Sequence, residues 1–334
     1  MRYAITGSTG FLGANVCRTL LDAGHDVVAL IRKPNRLLDG LDLELSKVPI
    51  VDSEDGTIDE LVGVLDGCDG LFHVAGVFDP SPGGEERMRA IHVTATQRLA
   101  DAAAAAGVKR MVLCSSSITV GFGSLDQPGD EDTPLDPSRT YGVKGALRAY
   151  HDTKLEAERL VAGRTDIEGV IVNPDFILGA HDVKPTSGQL VVALARRWVP
   201  VYPKGGKCFQ TASDCGRGHL LAMESGRAGR RYLLGSHNLS YQDFMGRVAA
   251  VVGRPPPKAA VPGWLTSGAG FVGRLGSRID AHRFAGLDPY VLRSMQTERY
   301  RTDGRALSEL GLDPEPIELG IEAAYRWFSD NGYC

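Results

Sequence analysis

Tyr150 and Lys154 lie four residues apart in Ala149-Tyr150-His151-Asp152-Thr153-Lys154, a segment of helical pattern. That spacing sets a phenol and an ammonium on one helix face, one turn apart. An ammonium beside a phenol favours the phenolate and draws a tyrosine down from its ordinary pKa of about 10. Such a phenol gives a proton to a carbonyl oxygen or takes one from an alcohol. Of the ten tyrosines, only Tyr150 has a lysine four residues later. Tyr141-Gly142-Val143-Lys144 spaces its lysine by three and is the weaker candidate. A hydroxyl to hold the reacting oxygen is offered by Ser115-Ser116-Ser117, which follows an apolar run over 111–114. Open α/β sheets bind ligands at such strand ends; a loop satisfying its own backbone is the alternative.

A second set of residues suits a dinucleotide. Gly7-Ser8-Thr9-Gly10-Phe11-Leu12-Gly13 stands between a short apolar run (2–6) and a helical pattern that stops at Gly24. A further apolar run over 26–31 completes a βαβ unit in about thirty residues. Glycines let backbone approach a pyrophosphate closely, and the helix N-terminus supplies free N–H groups and partial positive charge. Gly268-Ala269-Gly270-Phe271-Val272-Gly273 has the same letters, but no strand precedes it, so it is read as a small-residue surface.

Strand-like runs recur at 48–51, 71–75, 111–114 and 170–172, with helical stretches at 58–65, 85–106 and 147–162. This alternation predicts a doubly wound α/β fold of Rossmann type. Residues 1–173 form the nucleotide domain, to which the chain returns at about 207–235. The segments 174–206 and 236–334, richer in proline and aromatics, form a smaller substrate-binding lobe. Trp198, Phe209, Trp264, Phe271, Phe284 and Tyr290 are expected mostly in that lobe's core.

Composition excludes other classes. A net charge of −4 over 334 residues gives no electrostatic reason to expect nucleic acid or an anionic membrane. No window reaches the length of a membrane span, and the chain starts on a strand rather than a leader. The six cysteines and eight histidines are scattered without ligand spacing, which predicts no metal and a reducing, cytoplasmic setting.

With these pieces together the chain resembles the extended short-chain dehydrogenase/reductases, and within them the dihydroflavonol-4-reductase-like branch. The likeness rests on Thr6-Gly7-x-x-Gly10-Phe11-x-Gly13, Leu71-Phe72-His73-Val74-Ala75, Cys114-Ser115-Ser116-Ser117 and Tyr150-x-x-x-Lys154. It continues through Val172-Asn173-Pro174, Gly179-x-x-Asp182-x-x-Pro185 and Gly218-His219-Leu220-Leu221-Ala222, nearly the whole chain. The resemblance implies that Ser117 is the catalytic serine, with Ser116 as fallback. It implies that Asp52 contacts adenine, that Ala75 and Gly76 form the nicotinamide-side turn, and that Asn173 and Pro174 also line the cofactor. Where the family usually carries an asparagine that holds a proton-relay water, this chain has His92.

The second strand ends Leu30-Ile31-Arg32-Lys33, without the acid that would bind a ribose 2′-hydroxyl. Arg32, with Lys33 beside it, suits a 2′-phosphate, so NADPH is expected over NAD. The expectation is an NADPH-dependent reductase of a ketone or aldehyde, with a bulky, apolar small-molecule substrate, acting as a monomer or homodimer. An NAD-dependent nucleotide-sugar epimerase is the first alternative, and a nucleotide-sensing protein without catalysis the second. A sugar dehydratase is disfavoured, since Ser117-Ile118-Thr119-Val120 holds no acid.

Overall fold

The computed structural model describes residues 1–51, 58–185, 187–262 and 289–334. Asp52, Trp264, Phe284 and the Gly268 to Gly273 motif lie outside the described residues. Seven parallel strands form the main sheet in the order β10-β6-β5-β4-β1-β2-β3. They are β1 (Arg2–Thr6), β2 (Asp26–Leu30), β3 (Glu44–Ser46), β4 (Gly70–His73), β5 (Arg110–Cys114), β6 (Glu168–Pro174) and β10 (Arg231–Leu234). The central strands are almost wholly buried, as a parallel sheet covered on both faces requires.

One face is covered by α1 (Phe11–Asp22) and α8 (Ala212–Ser225), which pack on each other. Val16, Cys17 and Leu20 of α1 join Ile5, Phe72 and Val112 of the sheet in one core. The other face is covered by α2 (Ile58–Leu65), α4 (Ala95–Ala105) and α6 (Ala146–Ala162). The alanine-rich face of α4 buries Ala100, Ala102 and Ala103 there, and their small side chains allow close approach.

The lobe holds β7 (Phe176–Leu178), β9 (Gly206–Thr211), β11 (His237–Ser240) and β13 (Glu298–Arg299) in a second sheet. Two further strands, β8 (Val201–Tyr202) and β12 (Ala259–Ala260), pair separately. Helices α7 (Gln189–Arg196) and α9 (Tyr241–Val251), with the C-terminal helix (Ile317–Asp330), close its core. Phe209 stacks on Phe244 there at 4.2 Å, as expected of a lobe aromatic, whereas Trp198 is exposed.

Three details differ from the sequence pattern. The third strand is Glu44–Ser46, ahead of the apolar run at 48–51; Val48 and Ile50 instead pack against the core from the loop that follows. The fourth strand stops at His73, because the Ala75 N–H turns to the Thr6 hydroxyl. The helical stretch at 85–106 is interrupted: α3 (Gly84–Arg89) passes through a π-helical turn, Ala90–Thr94, before α4. Such turns favour functional positions, and His92 sits in the middle of this one.

Candidate active site

The strand order reverses between β1 and β4, the place where open α/β sheets leave a crevice for ligand. Gly7 follows β1 with φ +80°, and a Cβ added there would lie 2.5 Å from the Ala75 nitrogen. A Cβ on Gly13 would lie 2.1 Å from the Gly7 carbonyl oxygen. Both positions therefore exclude side chains, and the loop lies directly on the Ala75-Gly76 turn. Gly10 caps α1 without a side-chain hydrogen bond, and the first turn carries no acid. Its free N–H groups and dipole are open to an anion. The Ser8 hydroxyl is fully buried with no protein partner, as a cradle completed by a polar group would leave it. Asn35 Nδ2 donates to the Thr9 carbonyl at 2.8 Å and ties Thr9 to the segment after β2. Arg32 and Lys33 are exposed on that segment. These features fit a nicotinamide dinucleotide: Gly7 to Gly13 would hold the pyrophosphate, with Phe11 and Leu12 opening the helix.

At the head of the crevice, Thr6 and His73 are register partners on β1 and β4. The Thr6 hydroxyl accepts from the Ala75 N–H (3.3 Å) and shares a hydrogen bond with His73 Nδ1 (2.6 Å). Burial, then the charge of Lys154, holds His73 down at about 3, so it is neutral.

Tyr150 and Lys154 lie on α6, one turn apart as expected. Lys154 is buried and its Nζ donates to the Cys114 carbonyl at the end of β5 (2.9 Å). A Cβ on Gly76 would stand 3.1 Å from that Nζ, so the lysine faces the predicted nicotinamide-side turn. Burial lowers the lysine below its ordinary value. The tyrosine does not follow the expected direction. Burial pushes the Tyr150 phenol up to about 12, and a hydrogen bond with the Ser116 side chain only partly opposes the rise. Desolvation sets the direction, and the Lys154 ammonium is directed to the Cys114 carbonyl. The Tyr150 ring is held edge-on between Phe78 (5.7 Å) and His92 (5.4 Å), and Phe78 is partly open to solvent.

The three serines have three positions. Ser115 Oγ donates to Glu158 Oε1 (2.5 Å). Ser116 caps the turn Ser117–Thr119, accepting from the Ile118 N–H (3.3 Å), and its hydroxyl is the one that meets Tyr150. Ser117 is the first residue of that turn and is buried.

The family model of the NAD dependent epimerase/dehydratase family matches residues 3–235. The chain belongs to that family. A Synechocystis sp. protein that bears the name dihydroflavonol 4-reductase is 32% identical over 99% of this chain and 95% of its own length. A ketoreductase of a farnesylated dihydroquinoline oxide from Stigmatella aurantiaca is 33% identical over 70% of this chain and 68% of its own. Among solved structures, gox2253 superposes with a TM-score of 0.81 at 30% identity, covering 99% and 98% of the two chains. UDP-glucuronic acid 4-epimerase from Bacillus cereus, solved with NAD, has the same fold (TM-score 0.74, 17% identity, 99% and 97% covered). The chain is thus an NAD(P)-dependent oxidoreductase acting on carbonyl or hydroxyl groups, of the extended short-chain dehydrogenase/reductase type. No helix among the described residues is long and apolar enough to cross a membrane, and no cluster there could hold a metal.

This epimerase/dehydratase-family site has one organiser that the spacing of Tyr150 and Lys154 did not reveal. Glu158, one turn beyond Lys154, accepts from Ser115 (2.5 Å), Thr119 (2.6 Å) and Asn173 (2.7 Å) through Oε1, and from Arg231 (3.3 Å) through Oε2. It ties the serine turn, β6 and β10 to α6. The signal was an i+4 continuation of the Tyr-Lys ladder. Asn173, fully buried, also donates to the Ser116 carbonyl (3.1 Å), while its Oδ1 has no protein partner. Pro174 closes β6 beside Leu234.

Proposed function

We propose that the protein is an NADPH-dependent reductase that converts a ketone or aldehyde to an alcohol. The observation that carries this reading is the placement of Tyr150 on α6 one turn before Lys154, whose Nζ reaches the end of β5 at the Cys114 carbonyl and faces Gly76. The cofactor supplies the hydride that the carbonyl carbon receives. Ser116, or Ser117 by a small turn of the loop, donates to the carbonyl oxygen and orients it. Tyr150 then passes its proton to that oxygen, so a phenol raised to about 12 is already in the form that reduction needs at neutral pH. Lys154 stabilises the phenolate left behind and holds the nicotinamide ribose. Arg32 and Lys33, with no acid at the end of β2, favour the 2′-phosphate of NADPH. The Phe78 and His92 rings make the walls beside Tyr150 apolar, which suits a bulky carbonyl compound.

The test is cofactor oxidation by the purified protein with a panel of aryl ketones and aldehydes, NADPH against NADH. Turnover with NADPH that disappears in Tyr150→Phe supports the reading. Tightly held NAD that co-purifies, together with interconversion of UDP-sugars, would replace it by an epimerase, an activity that the name of one structural neighbour carries.

A further inference from the structure

Beyond Tyr141, a cleft of about 360 Å³ opens between the segment after the serine turn and β13. Phe122, Arg139, Arg293, Thr297 and Arg299 line it, together with one acid, Asp136. The Asp136 carboxylate is engaged as the cap of α5 (Pro137–Tyr141), accepting from the Ser138 and Arg139 N–H groups (3.0 and 3.1 Å). Among the described residues, three arginines and a single, committed carboxylate therefore line the cleft.

Arg299 decides what that means. It is only 9% exposed, and its guanidinium lies over the rings of Phe122 (4.9 Å) and Tyr141 (5.8 Å). Besides a contact with the Tyr141 phenol, its hydrogen bond is a long one, Nε to Thr297 Oγ1 at 3.4 Å. Its partner across the ladder is Lys207, of the same charge, an arrangement that opposes strand pairing. The nearby acid, Asp175, is held by Arg301 at 2.5 Å, and Arg301 completes its shell with the Val120 and Gly121 carbonyls. Buried charge without a counter-charge is costly, and a cleft beside it marks a place where a ligand supplies the missing charge. The Tyr141 phenol donates to the Ile118 carbonyl (3.0 Å), and the Ile118 N–H donates to Ser116 (3.3 Å). One tyrosine ring thus separates the guanidinium from the serine turn.

We propose that this cleft seats an anionic group, a phosphate or a carboxylate, carried by the carbonyl substrate. The planar fork of Arg299 is the main contact, and Arg293 and Arg139, both exposed at the mouth, assist it. The word substrate rests on the reductase reading; the anion site itself does not. The substrate then has an apolar body against Phe78 and Phe122 and one charged end, which modifies the bulky, apolar compound expected from the sequence.

The test is calorimetric titration of the full chain loaded with NADP+, which requires no turnover. The probes are 4-acetylphenyl phosphate, 4-acetylbenzoate, the neutral methyl 4-acetylbenzoate, and inorganic phosphate. At least one of the two aryl anions should bind about tenfold more tightly than the ester or better. Inorganic phosphate should compete with the aryl phosphate but bind more weakly than it does. Arg299→Gln should abolish the preference, and Arg293→Gln, a surface change that leaves folding intact, should reduce it at least threefold or so. Equal binding of acids and ester, no anion binding, or a preference that survives both substitutions would overturn the proposal. Inorganic phosphate binding as tightly as the aryl phosphate would overturn its substrate-borne form. A protein that reduces none of the test carbonyls yet shows the preference would count against the reductase reading alone.

Discussion

The rings of Tyr150 and His92 meet edge to face, with centroids 5.4 Å apart and planes at 72°. His92 is fully engaged in holding that position. Its Nε2 accepts from the Val77 N–H (3.1 Å), so its proton is on Nδ1, which donates to Thr153 (2.9 Å). Thr153 passes its own hydrogen to the Ala149 carbonyl (2.8 Å). Burial and the Lys154 charge keep the imidazole neutral, at about 2. His92 is thus a wall for the phenol and a clamp on the Val77 backbone, with no free valence for relaying a proton.

His92→Phe would keep the wall and lose the clamp. It is expected to destabilise the protein by about 1–3 kcal/mol, the cost of leaving buried polar groups unpaired, and to leave the pH profile of kcat where it was. Chemical denaturation and the pH profile, measured together, check this. A displaced profile with unchanged stability would make His92 a proton carrier.

Tyr150→Phe preserves the ring and its contacts with Phe78 and His92 while removing the acid. The expected result is a fall in kcat of about 10²–10⁴-fold, with NADPH affinity within about twofold of the parent. Fluorescence titration of NADPH beside steady-state rates separates the two. Loss of cofactor binding as the main effect would remove the role assigned to Tyr150.

The residues legible in the sequence were those whose function imposes a local spacing. The glycines of the first loop, the Tyr150–Lys154 pair and the run of serines each fall within a few residues, and the βαβ rhythm around them specifies the sheet. What stayed hidden is non-local. Glu158 binds Ser115, Thr119, Asn173 and Arg231 from three separate segments, the serine turn, β6 and β10. Arg299 acquires its meaning from Lys207 and Phe122, each more than ninety residues away by the roughest count of chain distance. The raised Tyr150 phenol was hidden for another reason. Spacing shows which charges are near, whereas desolvation depends on everything packed around the group.

Arg32 tests the cofactor preference. If it reads the 2′-phosphate, Arg32→Ala should weaken NADPH by about 10–100-fold, the equivalent of roughly 1.5–3 kcal/mol for hydrogen bonds to a charged group. NADH, which lacks that phosphate, should change by less than about twofold. Parallel weakening of both cofactors would show that Arg32 supports the loop rather than selects the nucleotide.

Glu158 carries both stability and alignment. Glu158→Ala removes the buried acceptor shared by Ser115, Thr119, Asn173 and Arg231 and should cost about 3–5 kcal/mol, as breaking a buried pair does. Glu158→Gln keeps the volume and should cost less, while still lowering kcat because the serine turn loses its fixed acceptor. Melting curves and rates for the two variants give the comparison. Full activity in Glu158→Gln would confine the residue to a purely structural part.

Acid should unfold this protein through its histidines before its carboxylates. His73 is held at about 3, His92 at about 2, and His181 and His219 at about 4, each chiefly by burial. In the unfolded chain all four return to about 6.5. Their folded values are depressed, so below about pH 6.5 the unfolded state binds the additional protons. The stability they contribute is therefore complete above that pH and lost as pH falls toward their folded values. Four such groups set an upper slope of roughly 5.5 kcal/mol per pH unit, at about 1.4 kcal/mol for each proton. Urea midpoints measured between about pH 7 and pH 5 should fall steeply over this window. His219→Leu, which removes a buried ring whose Nε2 has no partner, should make that fall shallower by one proton. A midpoint that stays flat down to the carboxylate range would mean that these rings gain water, or a proton, inside the folded protein.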